Sequence, residues 1–556
     1  MRLTILGGGG FRVPLVHRAL LADRRRTGIT ELVLHDVDND RLNAIGRVLT
    51  AQARDVPDAP ELITTTDLDT AVTGADFVFC AIRVGGLRGR VIDERVALGA
   101  GVLGQETVGA GGISYGLRTV PEARRIAASI ARLAPAAWTI NFTNPAGLVT
   151  EAMATHLGDR VIGICDSPSG LVDRVVRAIG ADPATVRVDY AGLNHLGWLY
   201  GVHRLGHAHP PSSANAPVAA AASRSGWSPD STSRSASAPP PRSAGSAAAA
   251  GSAVIGSSAE AAGSTAAGSY SVTGDCAAHI TAGSPPLAAD LDALATEFGG
   301  RALKIGGPSG SGAEGSGEDL LDGLLNDRAR LDSIEEGRLF GADRLRDLGA
   351  VPNEYLHYYY DPAGTLAALR DAAQTRGEFL LGQQHRCYAE IAAHDPLDAW
   401  LAAWREREAT YMAENRELAG AGEREHDESR PAGYEGVALA VMRALAHNEP
   451  ATLILNIRNR GTLSVLDDDA VVEVPCTVDG NGAAPQRIAP LPSHGVELVR
   501  AVKTAERWVL EAVASGSRTA AVRAMAAHPL VGPQAAARLI DAYRTEFPEL
   551  AYLRPD

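Results

Sequence analysis

The sequence predicts an α/β protein in which a doubly wound parallel sheet is followed by a mainly helical α+β domain. Short apolar runs alternate with helical patterns over residues 1–170. The first apolar run leads directly into four glycines, Gly7, Gly8, Gly9 and Gly10. Helical patterns dominate from residue 319 to the end. Strands that alternate with helices are typical of parallel sheets, so we expect one in the first part of the chain.

Five apolar runs in residues 1–170 are short enough to be buried strands. They cover residues 2–6, 31–36, 76–81, 137–142 and 161–164. Apolar residues at helical spacing fill two of the intervals between them, at 12–23 and 40–53. We therefore predict a nucleotide-binding domain of the Rossmann type over residues 1–170.

The chain after residue 319 carries further helical patterns and two strand candidates. The helices are predicted at 319–325, 334–347, 366–376, 380–392, 399–417, 436–446 and 495–515, and the strands at 451–456 and 471–475. Residues 171–206 and 319–556 are expected to form the second domain. Between them, residues 207–318 are rich in Ala, Ser, Gly and Pro. Such a composition buries too little apolar surface to offset its ordering entropy, which predicts a disordered insertion.

The overall composition narrows the class of protein. The 556 residues include 52 Lys and Arg against 66 Asp and Glu, a formal net charge of −14. This excess of negative charge argues against a nucleic acid or an anionic membrane as the main partner. The five cysteines show no CxxC spacing, the chain opens on an apolar run rather than a charged leader, and no eighteen consecutive residues are apolar. We expect a cytoplasmic protein without a transmembrane helix.

The glycine run favours a dinucleotide cofactor. It follows a predicted strand and precedes a predicted helix, and Phe11 comes next. Glycines at such a turn let backbone N–H groups approach a pyrophosphate. Asp36 ends the second strand, where a carboxylate binds the adenosine ribose of NAD in preference to NADP. The run reads GGGGFRVP and not GxGxxG, so a generic strand–helix turn with a solvated Asp is the alternative.

A thiol and an imidazole are candidate ligands of a metal ion. Cys165 follows a predicted strand, and His195 lies about thirty positions later in a Gly-Leu-Asn-His turn. The softness of these ligands favours zinc or iron over manganese. Spacing alone leaves open that they are unrelated residues of the core.

Three more segments carry candidate functional side chains. Residues 352–360 place four tyrosines, Tyr355 among them, within six positions of a chain that is only 5% aromatic. A tyrosine beside a cation can act as a base, and an aromatic part of the core is the alternative. Residues 83–90, RVGGLRGR, follow a strand end and suit phosphate recognition, unless they form a solvated basic loop. Residues 104–112, GQETVGAGG, are expected to be an irregular loop, at the active site or on the surface.

Taken together, these segments resemble the NAD- and metal-dependent family 4 glycoside hydrolases. The matching segments occur in the family's order and read GGGGFRVP, RVGGLRGR, GQETVGAGG, NFTNPA, GICDSP, GLNHLGW, PNEYLHYYY and NIRN. They lie within residues 1–204 and 319–556. The resemblance implies a second domain of the lactate and malate dehydrogenase C-terminal type. It also implies a metal ion, normally manganese, held by Cys165 and His195.

The resemblance further implies hydrolysis of a 6-phosphorylated glycoside by an exception to the two-carboxylate mechanism. NAD would oxidise carbon 3 of the sugar, the metal would acidify the proton on carbon 2, and Tyr355 would remove it. Elimination, addition of water and re-reduction would complete the cycle, with Asp166 as general acid. The residues implied to bind NAD are Gly7, Gly8, Gly9, Gly10, Phe11, Asp36 and Arg83, and those implied to bind substrate are Arg90, Asn144, Asn194 and Arg458.

Residue 166 leaves the anomer open. An Asp after the metal-binding Cys resembles the phospho-α-glucosidase branch, whereas GGGGFRVP and GLNHLGW resemble 6-phospho-β-glucosidases. We expect a 6-phospho-β-glucosidase and, by analogy with the family, a homodimer or homotetramer. Two other interpretations remain. One is a malate- or lactate-type NAD dehydrogenase, and the other is a non-catalytic NAD-binding protein.

Overall fold

The computed structural model describes residues 1–205, 318–410 and 433–555. Its strands are β1 Arg2–Leu6, β2 Glu31–His35, β3 Glu61–Thr65, β4 Phe77–Cys80, β5 Trp138–Asn141, β6 Val161–Gly163, β7 Val186–Leu193, β8 Leu196–Arg204, β9 Val351–Pro352, β10 Ala451–Arg458, β11 Val471–Asp479 and β12 Gly482–Pro485.

The α-helices of the same ranges flank this sheet and continue beyond it. They are α1 Val13–Thr27, α2 Asn39–Ala53, α3 Leu68–Val72, α4 Gly86–Gly99, α5 Gly109–Leu133, α6 Ala146–Leu157, α7 Ser167–Ile179, α8 Leu321–Leu325, α9 Arg328–Ser333, α10 Glu335–Phe340, α11 Ala342–Leu348, α12 His357–Tyr360, α13 Pro362–Asp371, α14 Arg376–Ala393, α15 Pro396–Ala409, α16 Tyr434–His447, α17 Ser493–Ser515, α18 Arg518–Ala527 and α19 Pro533–Glu546. None of these helices combines the length and apolar character needed to cross a membrane.

All the strands belong to one sheet in the order β3-β2-β1-β4-β5-β6-β10-β11-β7-β8-β9, with β12 paired to β11. The strands from β1 to β6 pair in parallel. β10 then joins β6 in the antiparallel direction, with Asn456 opposite Gly163. The predicted parallel α/β fold with a mainly helical second part is therefore confirmed. The second part also extends the sheet of the first.

Burial explains which strands the sequence predicts. β4 is buried at every residue, and β1 and β2 are buried at all but their first residue. Helices cover both faces of a parallel sheet, so its central strands read as continuous apolar runs. The edge strand β3, ELITT, is exposed or partly exposed throughout. Its residues show no apolar run, so the sequence pattern does not predict it.

The hairpin of β7 and β8 is another element that the apolar pattern does not predict. Its strands pair antiparallel up to Leu193 and Leu196. β7 is buried at nearly every position, including the polar Asp189. Polar side chains inside a buried strand interrupt the apolar run without marking a solvent-exposed face. Asn194 and His195 form the turn, where His195 has a φ of 61°.

The irregular loop predicted at residues 104–112 is wrong in its last part, because α5 begins at Gly109. A Cβ on Gly111 would lie 2.3 Å from the Gln105 carbonyl oxygen, and one on Gly112 would lie 2.5 Å from that of Thr107. The two glycines therefore let the preceding loop fold back against the first turn of the helix. In this segment the glycines allow the loop to pack closely against the helix.

The predicted insertion, apart from residue 318, lies outside the described residues, as does the end of the helix predicted at 399–417. The residues that flank the insertion contact each other. The Leu320 N–H donates to the Val202 carbonyl oxygen at 2.8 Å, and the Val202 N–H donates to Asp319 Oδ1 at 3.0 Å. The chain therefore leaves β8 and returns beside it.

His17 links α1 to α2 inside the core. It is 2% exposed, and its Nδ1 lies 2.8 Å from Oε1 of Gln52. Burial lowers the pKa of His17 from 6.5 to about 4, against the opposing effect of the Gln52 hydrogen bond. The unfolded chain therefore binds more protons between these two values than the folded protein does. The stabilising contribution of the neutral ring is complete above pH 6.5 and is lost as the pH falls towards 4.

We expect His17→Gln, whose amide can still donate to Gln52, to make the fold less sensitive to acid. Between pH 7 and pH 5 the free energy of unfolding of the variant should fall by about 2 kcal/mol less than that of the wild type. Urea unfolding at the two pH values measures this difference. Equal losses in the two proteins would show that His17 does not titrate in this range.

Candidate active site

Most of the predicted site residues lie at one edge of the sheet. Gly7 follows β1, Arg83 lies just beyond β4, Asn144 just beyond β5 and Cys165 just beyond β6. The carboxyl ends of parallel strands meet at the same edge, which is where open α/β sheets bind ligands. Because β1, β4, β5 and β6 are adjacent in the sheet, these positions are neighbours along that edge.

The glycine turn uses its N–H groups inside the protein. The N–H groups of Gly7 and Gly8 donate to the His35 carbonyl oxygen at 2.9 and 2.7 Å. A Cβ on Gly7 would lie 2.4 Å from the Ala81 carbonyl oxygen, and the φ of Gly7 is 87°, so the position requires glycine. Donors for a bound phosphate therefore begin later, at Phe11, whose N–H makes no hydrogen bond within the described ranges.

Three side chains from the second part of the chain donate to carbonyl oxygens of the same turn, and we call these hydrogen bonds the carbonyl clamp. Their helices are α14, α15 and α16 in turn. The pairs are Tyr388 Oη to Gly9 at 2.6 Å, Trp400 Nε1 to Phe11 at 2.9 Å and Tyr434 Oη to Arg12 at 2.9 Å. The shape of the turn is therefore fixed by residues several hundred positions away.

Asp36, predicted to end the second strand, lies one residue beyond β2 and also supports the turn. Its Oδ2 accepts the Gly9 N–H at 2.9 Å, and its Oδ1 accepts the Asp38 N–H at 3.1 Å. A carboxylate has about four acceptor positions, and this one is only partly buried. It therefore keeps acceptor capacity for a ribose hydroxyl.

Arg83 and Arg90 form an ion-pair cluster and not a solvated loop. Arg83 pairs with Glu106, and Arg90 pairs with Glu106 at 2.7 Å and with Glu94 at 2.8 Å. Arg90 is only 7% exposed. Burial alone would raise the pKa of Glu106, but the two guanidinium groups hold it well below its usual value. Glu106 is therefore ionised and holds both arginines in place.

Further positive charge lies near this cluster at Arg407. The pKa of Arg407 is lowered to about 9, mainly by burial and then by the charges of Arg12, Arg376 and Arg90. The guanidinium carbon of Arg407 lies 5.7 Å from the ring centroid of Phe11, beside the glycine turn. Its Nε is buried without a hydrogen-bond partner in the part of the chain that the structure describes. Positive charge concentrated in this way suits a ligand that carries phosphate.

Thr107 and Tyr355 hold the His195 ring. Thr107 Oγ1 lies 2.7 Å from His195 Nδ1, and the Tyr355 ring stacks on the imidazole at 3.8 Å between centroids and 7° between planes. Burial lowers the pKa of His195 to about 4, against the opposing charges of Glu106 and Asp166. The ring is therefore neutral at neutral pH, with its Nε2 atom available to bind a metal.

Cys165 is 5% exposed. The pKa of its thiol is raised well above the usual value, mainly by burial and then by the carboxylates of Glu473 and Asp166. Such a thiol ionises when a bound cation supplies the compensating charge. The charge of Asp166 acts on both Cys165 and His195, so the three lie in one electrostatic environment.

Cys165 and His195 supply two candidate metal ligands. Among the described residues, no group of three or more His, Cys, Asp and Glu side chains could hold a metal ion. A metal bound to the Cys165 sulfur and His195 Nε2 would take its other ligands from water or substrate. Open coordination positions of this kind are typical of catalytic sites.

Asn194 and Asn144 lie at the same edge of the sheet, but they differ in the hydrogen bonds of their side-chain amides. Asn194 Oδ1 accepts the Ala146 N–H at 3.2 Å, and its Nδ2 donates to Glu473 Oε1 at 3.2 Å. Both ends of this amide are therefore occupied by protein groups. The side chain of Asn144 is partly buried and makes no hydrogen bond with any described residue. Asn144 is the amide of this pair that a ligand can use.

Arg458, a predicted substrate-binding residue, lies away from the others. β10 runs antiparallel to β6 with Asn456 opposite Gly163, so Arg458 falls near the amino end of β6. Arg458 Nη2 donates to the Ala154 carbonyl oxygen at 3.2 Å. The NIRN segment therefore brings Asn456, and not Arg458, towards the edge that carries Cys165.

Four residues of the site are not singled out in the sequence. Glu106 and Thr107 lie in the glycine-rich segment 104–112, where their polar side chains were the only signal. Glu473 is an acid inside the apolar strand segment VVEVP, and an acid in such a place is rarely buried without a partner. Arg407 lies among other charged residues on α15, and nothing in the sequence distinguishes it.

Two family models match the chain. The Family 4 glycosyl hydrolase model matches residues 2–181, and the Family 4 glycosyl hydrolase C-terminal domain model matches residues 311–531. Together they cover more than half of the chain. The chain belongs to family 4 of the glycosyl hydrolases. The family predicted from the motif order is confirmed.

The family 4 relatives of this chain carry names of both anomeric classes. A probable 6-phospho-beta-glucosidase of Bacillus subtilis is 37% identical over 199 residues, and the 6-phospho-alpha-glucosidase 1 of Lacticaseibacillus paracasei is 36% identical over 200 residues. Each match covers 35% of this chain and 45% of the relative. The chain thus spans about half the length of the curated relatives it matches, and identity does not distinguish the two anomers.

Two solved structures share the family 4 fold with this chain. The 6-phospho-beta glucosidase of Thermotoga maritima, solved with NAD and glucose-6-phosphate, has a TM-score of 0.69 at 20% identity and covers 100% of both chains. A 6-phospho-alpha-glucosidase from gut microorganisms, in complex with NAD and Mn2+, has a TM-score of 0.67 at 21% identity and covers 100% of this chain and 99% of that one. At these identities the similarity establishes the fold alone.

Thr107→Val removes the hydroxyl partner of His195 Nδ1 and keeps the shape of the side chain. Loss of such a hydrogen bond behind a metal-binding imidazole costs about 10- to 100-fold in metal affinity. We expect the dissociation constant for Mn2+ to rise by at least about tenfold, measured from the electron paramagnetic resonance signal of free Mn2+. Thr107→Ser keeps the hydroxyl and should bind like the wild type. Equal affinities of the two variants would contradict the role of this hydroxyl.

Proposed function

We propose that this family 4 protein hydrolyses 6-phospho-β-glucosides with NAD and a divalent metal, normally Mn2+, as cofactors. The stacked pair of Tyr355 and His195 carries the proposal, because it places a phenol directly beside a candidate metal ligand. The glycine turn and Asp36 supply a dinucleotide site at the same sheet edge. The relatives solved with NAD, Mn2+ and glucose-6-phosphate support the same set of ligands.

Bound NAD would supply a hydride acceptor and donor for carbon 3, and a bound metal would supply the Lewis-acid polarisation that acidifies the proton on carbon 2. Cys165 and His195 would hold the metal. Tyr355 acts as the general base that removes the proton from carbon 2. Arg90 lies close enough to Tyr355 for the two side chains to interact electrostatically.

Other residues of the site bind the substrate or assist the departure of its aglycone. Asp166 donates a proton to the leaving oxygen as general acid. Arg90 and Arg83, held by Glu106, and Arg407 provide the positive charge that binds the 6-phosphate and the pyrophosphate of NAD. The unoccupied amide of Asn144 hydrogen-bonds a sugar hydroxyl. We also propose that the protein works in the cytoplasm as a homodimer or homotetramer.

The alternative, a 6-phospho-α-glucosidase, is favoured by a single residue. Asp166 directly follows Cys165, a sequence that resembles the phospho-α-glucosidase branch of the family. The β preference depends instead on the GGGGFRVP and GLNHLGW segments. Removal of the proton on carbon 2 precedes the cleavage at carbon 1, so this chemistry is open to either anomer.

Nitrophenyl 6-phospho-α- and 6-phospho-β-glucosides, assayed side by side with NAD+ and Mn2+, distinguish the possibilities. We expect faster release of nitrophenol from the β-anomer and no release when either cofactor is omitted. Faster release from the α-anomer would establish the alternative. Cleavage of neither compound, together with stoichiometric NADH formation from a hydroxy acid, would identify a dehydrogenase.

Tyr355→Phe removes the proposed base and keeps the ring that stacks on His195. We expect kcat to fall by about 10²- to 10⁴-fold while NAD+ affinity stays unchanged, because the change removes a single hydroxyl group and keeps the ring. Exchange of the carbon 2 proton with deuterated water, followed by NMR, should stop as well. Tyr358→Phe makes the same chemical change at the neighbouring ring, 6.4 Å away, and should retain activity. If Tyr355→Phe still exchanged the carbon 2 proton, another group would have to be the base.

A further inference from the structure

A row of residues in register crosses the sheet beneath the two candidate metal ligands. Asn456 on β10 pairs with Gly163 on β6 and with Glu473 on β11. Glu473 in turn pairs with Gly192 on β7. Cys165 lies two residues beyond one end of this row. Asn194, which precedes His195, lies two residues beyond the other end.

Glu473 is fully buried in this row and accepts three hydrogen bonds. Its Oε1 accepts from Asn194 Nδ2 at 3.2 Å and from Asn456 Nδ2 at 3.0 Å, and its Oε2 accepts from Tyr190 Oη at 2.9 Å. These donors lie on β7, on β10 and in the β7–β8 turn. A buried carboxylate with three donors joins these elements more rigidly than apolar packing alone, because each hydrogen bond is directional.

The same network reaches the segment that follows β5. Asn194 Oδ1 accepts the N–H of Ala146, the first residue of α6. α6 packs closely on the row, since a Cβ on Gly147 would lie 3.5 Å from the Asn194 Cβ and 3.7 Å from Asn456 Oδ1. Glu473 therefore supports, through Asn194, both the turn that carries His195 and the chain beside Asn144.

The two glycines of the row show how little space surrounds it. A Cβ on Gly163 would lie 2.4 Å from Thr150 Oγ1 and 2.8 Å from the Asn456 Cβ, and one on Gly192 would lie 2.0 Å from the Leu196 carbonyl oxygen. Neighbouring atoms therefore fill the space beside both glycines, so a larger residue at either position would disturb the row. Within this packed row, the Asn194 side chain is held by its hydrogen bonds to Glu473 and Ala146.

We propose that Glu473 is a positioning residue of the metal site, which acts through Asn194 to hold His195 in the orientation that binds the metal together with Cys165. This inference rests on the proposed function, since it requires that the protein binds Mn2+. Glu473 itself does not contact substrate, and its effect on catalysis passes through the geometry of the metal ligands.

Binding of Mn2+ alone to the full-length protein tests the proposal. Glu473→Gln keeps the size of the side chain but replaces one acceptor oxygen by a donor group. We expect its Mn2+ dissociation constant to rise by about tenfold, while its NAD+ affinity remains within about twofold of the wild type. With glycoside and saturating NAD+, kcat at limiting Mn2+ should fall and should recover in part at high Mn2+.

Glu151→Gln is the matched control. Glu151 is also a buried acid that contacts β11, where it accepts the Val471 N–H at 2.8 Å, and it pairs with Lys503 at 3.0 Å. Its replacement is expected to lower thermal stability without changing Mn2+ affinity. If Glu473→Gln binds Mn2+ as tightly as Glu151→Gln and the wild type do, the proposal is overturned.

Two further outcomes are also informative. If Glu473→Gln does not fold, Tyr190→Phe removes the hydrogen bond to Oε2 and should still weaken Mn2+ binding by about threefold, and an unchanged affinity would overturn the proposal. Failure of the wild type itself to bind Mn2+ would overturn the metal-dependent function and this inference with it. The two failures are therefore distinguishable in one set of titrations.

Discussion

The carbonyl clamp is the constraint on which the rest of the site depends. A turn of four glycines has more backbone freedom to lose on folding than any other sequence of its length. Tyr388, Trp400 and Tyr434 restrict it by donating to its carbonyl oxygens from three different helices. The turn therefore reaches its final shape only when those helices pack against the parallel strands. The shape of the candidate dinucleotide turn is therefore a property of both parts of the fold.

The continuous sheet explains how distant segments come to share one chemistry. Cys165 follows the last parallel strand, and His195 lies in the turn of an antiparallel hairpin. β10 and β11 lie between these two elements and carry Asn456 and Glu473, which link them by hydrogen bonds. Tyr355 then completes the site by stacking on His195. The two candidate metal ligands and the proposed base, Tyr355, are thus brought together by one continuous sheet and by a ring stack.

The sequence predicts most of the parallel strands. Strands that are buried on both faces of the sheet appear in the sequence as continuous apolar runs, which can be recognised without knowing the fold. The sequence also gives candidate site residues, but only through the order of many weak motifs, since Cys165 and His195 are too far apart to be related by spacing. Arg458 is misplaced because the motif does not reveal that β10 runs antiparallel to β6, and this direction decides which end of NIRN faces the site. The roles of Glu473 and Arg407 depend on partners from distant strands and helices, so no local pattern could indicate them.

The main-chain hydrogen bond between Val202 and Leu320 marks a point where the chain can gain or lose residues. Where the two ends of a segment are already held side by side by the fold, the entropy of closing it grows only slowly with length, by about 0.6 kcal/mol for each doubling. Sequence can therefore be gained or lost at this point of the chain at little thermodynamic expense. The end of β8 is thus a natural place for the lineage to acquire a new segment, and for an engineer to insert a reporter or a binding module.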